Sequence, residues 1–149
     1  MVDIDFPGPD FRREWREDIP YIFDRIRKRW LKLTPEEWVR QNLCAFFTEV
    51  EGIPAGVIAL EKQLRVGSLH RRFDIVIYSA DHEPWMLVEC KAESVPLTGK
   101  VLQQSLAYMS SIRCPFLMLS NGIQTFCWHL HERVPMELVD FPKWKKPTI

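Results

Sequence analysis

The segment over 34–50 has the apolar period of an α-helix. In the segment TPEEWVRQNLCAFFTEV the hydrophobic residues recur at three- and four-residue intervals, as expected for one buried helix face. Thr34 can cap the first backbone N–H groups, and Pro35 suits the first helical position. The acidic pair Glu36 and Glu37 favours the positive end of the helix dipole. We therefore predict a helix that begins after Thr34 and ends at Gly52.

Beyond that helix the pattern changes to the shorter period of β-strands, interrupted by one more helical segment. Turn signals rich in Gly, Asp and Pro separate the strand-like runs. The predicted strands span 57–64, 71–78, 85–92, 115–120 and 124–132, and the second helix spans 98–112. Residues 21–33 carry two short apolar runs around a basic middle, which predicts a β-hairpin, with a single short helix as the alternative.

This order of elements predicts an α/β fold. The first three strands form an antiparallel meander, and the second helix then leads to two more strands, so a mixed central β-sheet flanked by helices is expected. The chain length of 149 residues suits one domain. We place that domain at 21–133, between an irregular N-terminal arm at 1–20 and an irregular, proline-containing C-terminal tail at 134–149.

Composition says more about the compartment in which the protein occurs than about its function. The formal net charge is +0, so bulk charge does not mark a nucleic-acid-binding protein. Basic residues are concentrated in the first quarter, with Trp15 and Trp30 among them, which fits either a solvated face or a surface for a DNA backbone. The four cysteines form no CxxC pair, and no run approaches the ~20 apolar residues of a membrane span. We expect a cytoplasmic protein with free thiols and no membrane association.

The strand over 85–92 contains the first candidate for chemistry. Its apolar run WMLV is followed by Glu89 and Lys91, which are two residues apart and so project from the same face of a strand. Cys90 points to the other face. A carboxylate at the edge of a core is costly unless it is paired or bound to a metal ion. A salt bridge at a strand end is the simpler interpretation of this pair alone.

A second lone acid, Asp74, begins the apolar part of the strand over 71–78. In a meander the start of one strand lies beside the end of the next, so Asp74 and Glu89 are expected at one end of the sheet. Two neighbouring carboxylates repel each other unless a cation lies between them, and oxygen ligands favour Mg²⁺, with Mn²⁺ as a substitute. Such an ion, with Lys91 beside it, could activate water and stabilise a phosphorane.

These residues resemble the D…(D/E)xK core of the PD-(D/E)xK nuclease superfamily. Five segments in order are similar to the nuclease domain at the N-terminus of type I restriction enzyme R subunits, in particular to short stand-alone members: TPEEWVRQ, RRFDIVIY, MLVECKAESVPLT, QSLAY and FLMLSNG. The resemblance implies a restriction-endonuclease-like core and a Mg²⁺-dependent nuclease that hydrolyses DNA phosphodiester bonds. It covers about residues 21–132.

The resemblance also implies roles for individual residues. Asp74 and Glu89 correspond to the metal-binding acids, and Lys91 corresponds to the catalytic lysine. An acid on the first helix often completes the metal shell, and we assign Glu36 to it with Glu37 as the alternative. Gln104 and Tyr108 correspond to a QxxxY motif of the superfamily. They are four residues apart on the second predicted helix and so share one helix face. We assign both to the catalytic set.

The sequence leaves two functions open, an active DNA nuclease and a catalytically inactive binding module. The chain has no GxxxxGK[ST] phosphate loop, so we do not expect ATP-driven translocation from it, and any motor or specificity subunit would be a separate protein. DNA is the expected partner, and a homodimer would suit cleavage of two strands. The alternative function is a catalytically inactive module of the nuclease fold that binds DNA or a protein partner.

Overall fold

The computed structural model describes residues 1–8 and 10–147, which fold into two β-sheets and two α-helices. The smaller sheet is antiparallel and contains β1 (Arg13–Arg16), β2 (Ile19–Asp24) and β3 (Arg29–Lys32) in that order. The pairing of β2 with β3 confirms the hairpin predicted over 21–33. The alternative of a short helix in this segment is wrong.

The arm over 1–20 is not wholly irregular, contrary to our prediction. Strand β1 and the beginning of β2 lie within it. The turn between them places Glu17 and Asp18 at positive φ, 50° and 64°, where Asn and Gly are the usual residues. All four residues of β1 are exposed, so no apolar alternation marked the strand. The prediction for Pro9 lies outside the described residues.

Helix α1 (Pro35–Ala45) confirms the first predicted helix, and its capping agrees with the sequence. The Thr34 side chain accepts a hydrogen bond from the Glu37 backbone N–H at 3.0 Å. A π-helical turn, Phe46–Val50, extends the helix, and the chain leaves it at Gly52, whose φ is +68°. Glycine adopts this left-handed conformation without the steric cost of a Cβ atom.

The larger sheet is mixed, as predicted. A short 3₁₀ turn, Ala55–Val57, leads into the antiparallel meander of β4 (Ile58–Val66), β5 (Leu69–Tyr78) and β6 (Pro84–Cys90). Helix α2 (Gly99–Met109) then carries the chain back so that β7 (Phe116–Ser120) pairs parallel with β6. Strands β8 (Thr125–His131) and β9 (Val134–Glu137) complete the order β4-β5-β6-β7-β8-β9.

The two helices cover opposite faces of this larger sheet. Val39 and Leu43 of α1 pack in one apolar cluster with the β5 and β6 residues Ile75 and Val88. Met109 of α2 belongs to a second cluster on the other face, formed with other residues of the sheet, namely Phe73, Val76, Leu87, Leu117 and Leu119. Strands β5 and β6 are therefore held between two packed layers.

Strand β9 lies in the segment over 134–149 that we predicted to be irregular, and that prediction is wrong for Val134–Glu137. The preceding turn places Glu132 and Arg133 at positive φ, so again no Gly or Asn marked it. Pro135 argues against a strand in general but is tolerated at a sheet edge, where β9 lies. The prediction for residues 148 and 149 lies outside the described residues.

The four cysteines are unpaired and buried, which confirms the prediction of free thiols in the core. Burial raises the thiol pKa of Cys114 and of Cys127 to about 12 and places the pKa of Cys90 well above its ordinary value. These thiols are therefore protonated and behave as small apolar side chains. No helix in the described part of the chain has both the length and the apolar character needed to cross a membrane.

Candidate active site

The pairing of β5 with β6 brings Asp74 and Glu89 to the same end of the sheet. Ile75 lies opposite Val88 in the antiparallel register, so the two acids are the next residues on their strands. They open onto a cleft of about 360 Å³. Its lining is polar and charged, and consists of Glu36, Glu61, Arg72, Phe73, Asp74, Glu89, Cys90, Lys91 and Tyr108.

Asp74 is held firmly and is largely buried. One carboxylate oxygen, Oδ2, accepts a hydrogen bond of 2.7 Å from the Cys90 backbone N–H, and Oδ1 lies 3.9 Å from Nη2 of Arg40. Burial raises the pKa of Asp74 to about 6, and the nearby charges of Glu36 and Glu89 act in the same direction. The Cys90 N–H and Arg40 oppose this rise only in part.

Glu89 and Lys91 are adjacent, as their spacing on a strand predicted. The Lys91 ammonium lies 3.1 Å from Oε1 of Glu89, and the Lys91 backbone N–H donates to the Ser120 carbonyl at 2.9 Å. The other Glu89 oxygen, Oε2, is buried and has no hydrogen-bond partner among the described residues. A buried carboxylate oxygen without a donor indicates an unfilled interaction, such as that with a metal ion or water.

The first turn of α1 brings one acid to the cleft and keeps the other away from it. Glu36 lines the cleft, and its side chain remains 47% exposed beside Arg40 at 3.4 Å. Glu37 is buried and accepts hydrogen bonds from Gln41 at 3.1 Å and from Arg27 at 3.3 Å. The geometry thus places Glu36, and not the alternative Glu37, beside Asp74.

The two candidates on α2 differ in position. Tyr108 lines the cleft, and its hydroxyl both accepts from the Arg72 backbone N–H and donates to the Arg72 carbonyl, each at 3.1 Å. Its ring also packs on Phe73, with 5.7 Å between centroids. Gln104 is exposed on the same helix but does not line the cleft. Tyr108 therefore braces the wall formed by β5, whereas Gln104 faces solvent outside it.

Arg40 is a central residue of the site that the sequence analysis did not find. Its side chain is 5% exposed and lies among four carboxylates on three elements. Two of these acids, Glu36 and Asp74, are candidates for metal binding, and the other two are Glu37 and Glu61. The signal in the sequence was the i,i+4 spacing from Glu36, which is also typical of an exposed surface pair.

Glu61 is the second acid that was missed. Its carboxylate lies 2.6 Å from Arg27, 3.2 Å from Arg40 and 2.9 Å from Arg72. Burial acts to raise the pKa of Glu61, but the hydrogen bond from Arg27 and the nearby Arg40 outweigh it, so the pKa lies below its ordinary value. A lone Glu in the apolar run IALEKQL was the available signal.

The backbone at Glu61 is also unusual. Its φ is +51°. In the described part of the chain, the other non-glycine residues with positive φ lie in turns or bends, whereas Glu61 lies within β4. The β4–β5 pairing runs from Leu60–Ile75 to Lys62–Phe73 and omits the Glu61–Asp74 pair between them. Strain of this kind is common at functional sites, and here it lies directly opposite Asp74.

The carboxylates of this cleft are suited to a hard divalent ion, although they do not already surround one position. Among the described residues, no three His, Cys, Asp or Glu side chains are gathered into a metal-binding arrangement. Asp74, Glu89 and Glu36 nevertheless share the cleft, and the buried Glu89 Oε2 lacks a partner. Oxygen donors of this kind fit Mg²⁺ or Mn²⁺.

Comparison with known proteins identifies a family for most of the chain. The family model described as the type I restriction enzyme R protein N terminus matches residues 35–142, which are 108 of the 149 residues. Comparisons with curated proteins and with solved structures gave no significant match. The matched range contains α1, the whole larger sheet and every residue of the cleft. The chain therefore belongs to the family of type I restriction enzyme R protein N-termini.

Proposed function

We propose that this chain is a Mg²⁺-dependent nuclease of the PD-(D/E)xK superfamily that hydrolyses phosphodiester bonds in DNA. The observation that carries the proposal is the cleft in which Asp74, Glu89 and Lys91 meet, with one buried Glu89 oxygen left without a partner. Two acids and a lysine from neighbouring strands are the set that the superfamily uses. Membership of a restriction-enzyme family agrees with this chemistry.

Asp74, Glu89 and Glu36 would hold the metal ion, with Mn²⁺ as a substitute for Mg²⁺. When bound, the ion would polarise the scissile phosphate and lower the pKa of a water nucleophile. The Cys90 N–H holds the Asp74 carboxylate in a fixed position on its strand, which lowers the cost of orienting it. Glu36, whose side chain is about half exposed, is the acid most able to adjust.

The cationic and polar groups of the cleft would act on the phosphate itself. Lys91, whose ammonium lies beside Glu89, would orient the attacking water and counter the negative charge that develops on the phosphorane. Arg72 lines the same cleft with a side chain that is 65% exposed, and a guanidinium can bind two phosphate oxygens at once. Tyr108 would brace this wall, and Gln104 would contact the DNA backbone outside the cleft.

The setting that we propose is that of a nuclease component. The four free thiols fit the reducing cytoplasm. The given residues contain no phosphate-binding loop for ATP, so any motor or specificity function lies outside them. Cleavage of both DNA strands would require two active sites, which a homodimer could provide.

Nicking of supercoiled plasmid DNA tests the proposal. We expect Glu89→Ala and Lys91→Ala to abolish Mg²⁺-dependent nicking, because each removes a group from the cleft. Glu93→Ala and Lys100→Ala are matched controls, since both positions are exposed and outside the cleft. The wild-type activity should also disappear in EDTA. Equal nicking by the two cleft variants and the two controls would exclude this site as the nuclease centre.

The alternative function is a catalytically inactive module that binds DNA or a protein partner. It is favoured by the position of the Arg40 cation beside Asp74, and by the absence of a gathered metal site among the described residues. Calorimetric titration with Mn²⁺ separates the two functions. No binding at millimolar Mn²⁺ would support the inactive module, whereas binding that Asp74→Ala removes would support the nuclease.

A further inference from the structure

The smaller sheet concentrates positive charge in a protein whose total charge is +0. Residues 12–32 contain eight basic and four acidic side chains, so the segment carries +4 and the rest of the chain carries −4. Five of the eight basic side chains have no carboxylate partner among the described residues: Arg12, Arg13, Lys28, Arg29 and Lys32. This charge is therefore available to an external anion.

One face of the smaller sheet combines these arginines with aromatic rings. Phe23 and Trp30 are direct cross-strand partners with 5.5 Å between their ring centroids. The Arg12 guanidinium lies 4.6 Å from the Phe23 ring, and that of Arg16 lies 4.7 Å from the Tyr21 ring. Both guanidiniums also lie 5.4 Å from the Trp30 ring. We call these five residues the arginine–aromatic face.

This face points away from the protein core. The adjacent residue Ile22 is fully buried and projects to the opposite side, where its cross-strand neighbour Arg13 lies over Trp38 of α1. The rings of the arginine–aromatic face are only half-buried, and Arg12 and Arg16 are exposed. Arg16 also forms an exposed ion pair with Glu14 at 2.5 Å, which a phosphate group would replace. A guanidinium stacked on a ring is held in place while its N–H edge can still bind phosphate oxygens.

The smaller sheet is tied to the cleft through the β2–β3 turn. Arg27 in this turn contacts Asp24 at 2.5 Å and Glu61 of the cleft wall at 2.6 Å, and its side chain is only 16% exposed. Phe23 and Trp30 lie at the same end of the sheet as that turn. Asp24 is fully buried and projects to the same side of the sheet as Ile22, so these contacts fix the position of the smaller sheet beside the cleft from the side opposite the arginine–aromatic face.

We infer that the arginine–aromatic face is a docking surface for the backbone of the DNA that the cleft acts on. The choice of DNA rests on the proposed nuclease function, and the choice of a polyanion rests on the charge and geometry of the sheet. The smaller sheet precedes residue 35 and lies outside the range that matches the family model, so the family assignment does not supply this role. Phosphates would bind the arginines, and unpaired bases could stack beside the rings.

Fluorescence anisotropy with labelled oligonucleotides tests this inference, in a Lys91→Ala background and in EDTA so that the DNA stays intact. The test variant is Arg12→Gln with Arg16→Gln, and the matched control is Lys145→Gln with Lys146→Gln, which removes the same charge from the exposed tail. We expect the test variant to raise Kd at least tenfold over the control. The slope of log Kd against log salt should fall by about two, one for each lost phosphate contact.

A conservative variant and two DNA forms complete the design. Circular dichroism shows whether the glutamine variant is folded. Arg12→Lys with Arg16→Lys keeps the charge and should restore most of the affinity, so the inference can be tested even if the glutamine variant is poorly folded. A loss confined to single-stranded DNA, or shared with duplex of equal length, supports the surface in either case. Equal Kd for the test and control variants with both DNA forms overturns it.

The result is separable from the proposed nuclease function. If the wild-type protein nicks DNA and the glutamine variant binds and nicks like its control, the docking surface is wrong and the nuclease stands. If the wild-type protein binds DNA through these arginines but cuts nothing, the docking surface stands and the nuclease fails.

Discussion

At the scale of a single residue, the surroundings of Asp74 disfavour the charged form of its carboxylate. It is buried beside other acids, so its pKa in the folded protein is about 6, whereas an unfolded chain gives about 4. The folded state therefore holds this proton more tightly than the unfolded state does. The contribution to the free energy of unfolding is highest below about pH 4, falls as the pH rises, and reaches its lowest value above about pH 6.

Because the charged form of Asp74 is disfavoured in the folded protein, we predict that Asp74→Asn stabilises the protein near neutral pH in EDTA. The variant keeps an oxygen that can accept from the Cys90 N–H but never ionises. We expect it to exceed the wild type by roughly 2 kcal/mol at pH 7.5. Urea denaturation at pH 7.5 and pH 4 measures the difference, which should shrink at the lower pH. A variant that is less stable than the wild type at pH 7.5 would contradict the prediction.

Some residues of the cleft were predictable from the sequence and others were not, for physical reasons. Asp74 and Glu89 stand out because each interrupts an apolar strand, and a meander brings such positions together. Arg40 and Glu61 gain their importance only from contacts between elements that are distant in the sequence. On their own, an arginine on a helix and a glutamate in an exposed part of a strand are ordinary surface residues.

At the scale of elements, Arg40 connects three of them. Its guanidinium lies near Glu36 and Glu37 of α1, Glu61 of β4 and Asp74 of β5. Without this cation, several buried or half-buried acids would be left facing one another. Arg40 therefore stabilises the junction of α1 with the sheet and the arrangement of the cleft at once.

Replacing Arg40 should be far more damaging than replacing an exposed arginine. We expect Arg40→Met to lower the free energy of unfolding by roughly 3 to 5 kcal/mol, because it leaves buried carboxylates without their partner. The control is Arg25→Met, whose ion pair with Glu49 is about half exposed and should cost at most about 1 kcal/mol. Urea denaturation at pH 7 compares the two. Similar losses would mean that Arg40 contributes no more than a surface ion pair.

The elements that the sequence predicted correctly are those with a strong periodic pattern or clear caps. Helix α1 and the strands β4 to β8 belong to this group. Strands β1 and β9 were missed because each follows or precedes a tight turn made of charged residues in the left-handed conformation. Local propensity disfavours such turns, so only the pairing with a neighbouring strand identifies them.

At the scale of the whole molecule, the C-terminal segment belongs to the core although most of it lacks regular structure. Phe141 is 8% exposed, and its ring lies 5.3 Å from Phe46 and 5.7 Å from Phe47. The Trp144 indole N–H donates to the Tyr78 carbonyl at 2.8 Å. A domain that ended at 133, as we predicted, would lack these contacts, and the boundary itself remains a prediction.

Phe141→Ala tests how far the tail stabilises the fold. We expect a loss of roughly 3 to 5 kcal/mol in the free energy of unfolding, as is usual when a buried aromatic side chain is removed. Val139→Ala is the control, because Val139 is 75% exposed in the same tail and should change stability by at most about 0.5 kcal/mol. Thermal and urea unfolding give the comparison. If both variants matched the wild type, the tail would be dispensable and the boundary at 133 would gain support.

The left-handed backbone of Glu61 has a consequence for how this protein can vary. Glycine or asparagine would follow that backbone more easily, and β-branched residues such as valine, favoured elsewhere in strands, would be strained there. At position 61 the backbone conformation therefore favours glycine or asparagine, whereas the ion pairs with three arginines require a carboxylate side chain. Glu61→Gly would relieve the backbone strain and free those arginines for other anions, which makes position 61 a natural site for redesigning the ligands of this cleft.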